Sequence, residues 1–149
     1  MGAAAKYYFW PALACGLGRV AFWPILLRHA TRFVGLGFLV PGVVLPDLLM
    51  AFAHPAAYGD LIAASLALIC AITLRANAPR ALTLPLVWLF NIEGTLDLLY
   101  AIYQGLGVNI AAYQLGAAWF IPTVYVPALL VTHTLIFVLL IAGGTRPNS

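Results

Sequence analysis

What most constrains this chain is a succession of apolar stretches, each long enough to cross a bilayer, with almost no charge inside them. A transmembrane helix needs about 20 mostly apolar residues to bridge a hydrocarbon core of about 30 Å. Residues 7–27, 33–53, 81–103 and 115–142 meet that length, and the alanine-rich 58–75 comes close to it. Only 7% of the 149 residues are charged and 64% are hydrophobic, far from the roughly 25% charge of an average soluble chain. The expected fold is all-α: a polytopic transmembrane helical bundle forming one integral membrane domain over residues 1–149.

The turns orient the bundle. Arg28–Arg32 and Arg75–Arg80 are basic, while 54–60 and 104–114 contain no Lys or Arg. Cytoplasmic loops carry the excess of Lys and Arg. The basic turns and Arg146 therefore place the C-terminus in the cytoplasm, with the protein in the cell (inner) membrane. Four spans, 33–53, 58–75, 81–103 and 115–142, follow directly. A fifth, 7–27, holds Arg19 near its centre and Pro11 and Pro24 near its ends. If 7–27 crosses, there are five spans; if it lies along the interface there are four, with both ends inside. The count of basic residues favours four, but length and the flanking Lys6 and Arg28 favour five, and five spans are expected. Pro41 and Pro46 predict a kink in the second span. Gly59, Ala63, Ala67 and Ala71 form a small-residue stripe suited to close helix packing.

The candidate site starts from two acids in one apolar helix. At 100° per residue Glu93, Asp97, Tyr100 and Gln104 fall on one stripe. A carboxylate near the bilayer centre costs about 2.5–3.5 kcal/mol, so such groups face a protein interior or a wet cavity. Counted along straight helices, Arg19 lies about 14 Å, Glu93 about 18 Å, Asp47 about 21 Å and Asp97 about 24 Å from the cytoplasmic ends. Thr123 and Tyr125 fall at roughly 20–24 Å. Glu93, Asp97, Asp47, Tyr100 and Gln104 are thus the ligand-binding or proton-exchange candidates, with Arg19 as the ion-pair partner of Glu93 and Thr123 and Tyr125 as weaker members. His133, also a weaker candidate, falls roughly 9 Å below Glu93, too far for a direct bond. Asp60 directly precedes an apolar run and reads as a helix cap.

Other chemistries find little footing. His54 and His133 fall near opposite faces and no cluster has metal-ligand spacing, so no metal or cofactor is expected. Cys15 and Cys70 read as buried small hydrophobes. The net charge of +3 comes from basic residues beside apolar runs, which orient helices and do not suggest nucleic acid. The expected partners are the lipid bilayer and a small lipophilic or cationic ligand, bound or transported in an acid-lined cavity. Two alternatives stand beside that reading. One is a membrane enzyme acting on a lipid or sterol-like substrate by carboxylate acid/base chemistry. The other is an accessory or scaffold subunit whose acids serve helix packing. In size, span count and buried acids the chain resembles the small four-span sterol-isomerase and sterol-binding group (EXPERA type), a resemblance that carries no residues across.

Overall fold

The computed structural model of this protein describes residues 18–44 and 50–144. Most of the expected first span and all of Asp47 lie outside the described residues. So does the side chain of Arg19, whose backbone is helical. The described chain is helical with no strand, and Pro41 and Val44 form an isolated bridge in a turn. Three helices are long and apolar enough to cross a membrane: Met50–Arg75, Arg80–Gly107 and Gly116–Ile141.

The first element departs most from expectation. Helix α1, Gly18–Ala30, does not stop at the basic turn predicted for 28–32. It continues as a 3-10 helix over Thr31–Leu39, and the chain turns at 40–44 through Gly42, at φ +87°. The change of winding has a local cause. Thr31 Oγ1 donates to the Arg28 carbonyl at 2.6 Å, so Tyr125 Oη donates to Thr31 Oγ1, also at 2.6 Å. Side-chain hydroxyls that occupy a helix carbonyl compete with the regular ladder. A 3-10 helix has three residues per turn, which stacks every third side chain in a straight row. The buried residues of this segment are Arg32, Gly35 and Phe38.

Helix α2 runs from Met50 to Arg75, straight through the turn predicted at 54–60, with Pro55 inside it. Its buried face is almost all small: Ala53, Ala56, Ala57, Ala63, Ala64, Ala67 and Ala71. Small side chains let backbones approach closely, and the α1 rod packs along this face. Helix α3, Arg80–Gly107, starts just after Pro79 and buries Thr83, Val87, Phe90, Asn91, Gly94 and Leu98, a spacing of three and four residues. The chain then passes through short 3-10 turns at Ile110–Ala112 and Gly116–Trp119. A wide π turn over Ile121–Tyr125 leads into helix α4, Val126–Gly144. Thr123 Oγ1 donates to the Trp119 carbonyl at 2.7 Å and Pro127 has no N–H to return to Thr123, so the α ladder is interrupted where the π turn forms.

Two apolar clusters close the bundle. Ile25, Leu26, Cys70, Ala71, Val87, Ile136 and Leu140 pack together toward the Arg75–Arg80 end. Phe38, Phe52, Ala53, Leu115, Ala118 and Ile121 pack toward the opposite end. Successive elements therefore run antiparallel, and Gly18 and Gly144 lie at the same end as the Arg75–Arg80 turn. Asp60 is ten residues into α2, about 15 Å from its start, between the clusters. It is not the helix cap expected from the sequence, because the helix begins at Met50.

The close approach of α1 and α2 gives a direct test. Ala67 is 0% exposed within the first cluster. Ala67→Leu is expected to destabilise the protein by about 1–3 kcal/mol through overpacking, whereas Ile62→Leu on the exposed face should shift stability by less than about 0.5 kcal/mol. Thermal unfolding of the detergent-solubilised protein measures both.

Candidate functional site

Between the two apolar clusters lies a polar layer centred on Arg32. The 3-10 row aims this side chain inward, where it is fully buried. Its Nε donates to Asp60 Oδ1 on α2 at 2.7 Å. Nη2 donates to Asp97 Oδ2 on α3 at 2.5 Å. Nη1 donates to the Gly94 carbonyl at 3.2 Å and to His133 Nε2 on α4 at 3.4 Å. Four of the five guanidinium hydrogens are thereby engaged, by three different helices.

The hydrogen-bond pattern also fixes the imidazoles. Asn91 Nδ2 donates to the His133 carbonyl at 3.2 Å, so Asn91 Oδ1 is the acceptor for His133 Nδ1–H at 2.7 Å. His133 then presents the lone pair of Nε2 to Arg32, which has only hydrogens to offer. His29 is likewise fully buried, 4.2 Å from the His133 ring and 5.1 Å from the Phe90 ring, centroid to centroid. The Thr132 hydroxyl donates to the Leu129 carbonyl at 2.8 Å, so His29 Nε2–H donates to Thr132 Oγ1 at 2.8 Å. His29 Nδ1 is buried without a hydrogen-bond partner.

Three glycines make space for these side chains. A β-carbon on Gly35 would run into the Asp60 carboxyl, and one on Gly59 into the Asp97 carboxyl. On Gly94 it would come within 2.7 Å of the His133 ring and 2.9 Å of Arg32 Nη1. Each helix that donates or receives an ion thus carries a gap that the partner side chain fills.

Asp60 and Asp97 each engage Arg32 through one oxygen and turn the other toward a glycine, Gly35 and Gly59 respectively. Both carboxyls also line a cavity of about 200 Å³ in the half of the bundle away from the Arg75–Arg80 turn. The rest of its wall is apolar, including Phe38, Phe52, Leu98, Ile121 and Val126. The Asp60 and Asp97 side chains keep 10% and 11% exposure while Arg32 has none, so the acids, and not the guanidinium, face this space.

The predicted stripe divides. Asp97 reaches the cavity, and Glu93, one turn away, is half-buried with Oε2 sealed and without a hydrogen-bond partner. Tyr100 and Gln104 instead pair with each other at the surface, Gln104 Nε2 donating to Tyr100 Oη at 2.7 Å. Thr123 is exposed. Tyr125 stands against Thr31 and under the exposed Arg28 guanidinium, 5.5 Å from its ring centroid. The depth separation expected between His133 and Glu93 is overturned, since His133 packs against Gly94. The ends of α3 and α4 are not level, so counts from each end do not share an origin. Arg32 lies inside the bundle and not in the cytoplasmic turn expected at 28–32, and Asn91 and His29, which no sequence feature singles out, are buried beside it. Asp60, expected as a helix cap, carries a signal of its interior position in the sequence, because it lies in register with the buried alanines of α2. Arg32 carries no such signal, because its row has a period of three. Among the described residues no three His, Cys, Asp or Glu converge as metal ligands.

Removing one member of a buried ion pair strands the others at a cost of about 3–5 kcal/mol. Arg32→Met is expected to destabilise the protein by that amount. Combining it with Asp60→Asn and Asp97→Asn should recover most of the loss, in thermal or denaturant unfolding.

Comparison with known proteins adds one assignment. No curated protein and no solved structure shows a significant match. Residues 1–141 match the family model described as "Domain of unknown function (DUF8737)", and the chain belongs to that family.

Proposed function

We propose that this is a four-span membrane protein that binds a small lipophilic monocation in the cavity capped by Asp60 and Asp97. The observation that carries this reading is the charge count at the cavity's polar end. Two carboxylates share one guanidinium, which leaves the pair and its clamp at −1 when both acids are ionised, and each acid keeps an oxygen that Arg32 does not take. An apolar wall behind an anionic cap suits a ligand with a hydrophobic body and a single positive charge. Concave, mostly apolar pockets with a few convergent polar groups are the usual form of small-molecule sites.

The length of the first rod supports four crossings. Thirteen α residues and nine 3-10 residues span about 37 Å, enough for a hydrocarbon core of about 30 Å. With Arg32 withdrawn into the interior, Arg75 and Arg80 at one end of the bundle support placing that end, and the C-terminus with it, in the cytoplasm. The cavity then opens in the outer half.

Phenyltrimethylammonium, whose charge does not titrate, is a suitable probe. It should bind the solubilised protein in isothermal titration, and the neutral isostere tert-butylbenzene should bind at least about tenfold more weakly, a difference of about 1.4 kcal/mol. Asp97→Asn should weaken the cation at least about tenfold, and Ala101→Phe, on the cavity wall, should exclude it without touching the ion pairs. Equal binding of the neutral isostere, or unchanged binding in both variants, would refute a cation site.

A further inference from the structure

Glu93 takes no part in the clamp, and its position raises a separate question of charge. It is the third carboxylate of the layer, one helical turn from Asp97 and within electrostatic reach of Asp60 from α2 and Arg32 from the 3-10 segment. From α4 the ionisable side chain in this layer is His133, which directs its lone pair at Arg32. Arg32 spends four of its hydrogens on Asp60, Asp97, Gly94 and His133, and among the described residues Glu93 has no direct cation. Its Oε2 is sealed and accepts no hydrogen bond from the described residues. Ionised, it would take the described charges of the layer from −1 to −2 in a low-dielectric interior, where uncompensated charge is costly.

We infer that Glu93 holds a proton while the cavity is empty and releases it when a cation binds beside Asp97, so that the protein exchanges a lipophilic cation for a proton. This rests on the cation site proposed above and assigns that site its coupling partner. The charge of the layer is what makes the two events exclusive. With the cavity empty and Glu93 neutral the layer stands at −1. A bound monocation brings it to zero, and ionisation of Glu93 returns it to −1. The step is a simple exchange in which the Glu93 O–H bond breaks, its electron pair stays on the carboxylate and the proton leaves to solvent. Linkage makes the effect reciprocal, so each ligand weakens the other by the same factor.

The test uses the full chain in detergent with phenyltrimethylammonium as the probe. In weakly buffered solution the wild type should release about one proton per probe bound, and the affinity should rise with pH by up to about tenfold per unit while Glu93 titrates. Glu93→Gln should still bind the probe, with no proton release and a flat pH profile. In the wild type the infrared C=O stretch of a protonated carboxyl should fall when the probe is added, which gives a readout independent of any variant. Binding without proton release, a carboxyl band that the probe leaves unchanged, or full release in Glu93→Gln would each overturn the exchange alone. A probe that binds neither protein at any pH would overturn the cation site, and the exchange with it. A protonated-carboxyl band present in the empty wild type and absent in Glu93→Gln would still identify the holder of the proton.

Discussion

A guanidinium with no exposure at all, in the middle of an apolar bundle, is the constraint on which the rest of this structure depends. An ion taken out of water loses several kcal/mol of solvation even after relaxation, and only close, well-directed partners return it. No single helix can supply them to Arg32. The α2 helix gives Asp60, α3 gives Asp97 and the Gly94 carbonyl, and α4 gives His133. All three must therefore sit at the right height and rotation for the charge to be tolerated. In lipid, where apolar side chains gain little by meeting one another, such polar contacts supply specificity that greasy packing lacks.

The backbone is shaped around that requirement. A longer rise and a threefold repeat turn residues 31–39 into a straight row with Arg32 at one end and Phe38 at the other. The same row serves two purposes: Arg32 enters the polar layer while Phe38 enters the apolar cluster and the cavity wall. Gly35, Gly59 and Gly94 then allow the carboxyls and the imidazole to lie directly against a neighbouring backbone. A β-carbon at any of these positions would displace the Asp60, Asp97 or His133 side chain from its place, so the glycines and the polar layer depend on each other.

How much of this could be read from the sequence depended on whether the local winding was the standard one. The helical class, the alanine stripe of α2 and the interior facing of Asp97 follow from a 100° periodicity, and each of these elements is a regular α-helix. Ala63, Ala67 and Ala71, picked out as a packing stripe, are indeed fully buried. The reading failed where winding changed or a breaker was tolerated. Arg28–Arg32 has the composition of a cytoplasmic turn, and nothing in its residues announces that a tyrosine nearly a hundred positions away will help bend the helix into a 3-10 form. Pro55 and Gly59 look like a turn, yet in an apolar surrounding the unsatisfied backbone of a turn is costlier than a helix with one missing hydrogen bond. The π turn at Ile121–Tyr125 spoiled any depth count along the last helix.

The polar layer is larger than a packing device requires. A clamp that served only to hold helices would be best with its carboxylates fully saturated and sealed, because partly satisfied polar networks are the unstable ones. Here the unsaturated atoms are not randomly placed. Asp60 and Asp97 keep a small exposure and line an apolar cavity, each with one oxygen that Arg32 does not take, whereas the guanidinium is fully buried. Glu93 adds a third acid with no second base beside it among the described residues. Under the proposed reading, the two acids at the polar end of the cavity, Asp60 and Asp97, would favour a positive ligand there. In that reading, Arg32 would keep the excess of acid over base near one charge, small enough for the bundle to form with the cavity empty and large enough to favour a cation over a neutral molecule of the same shape.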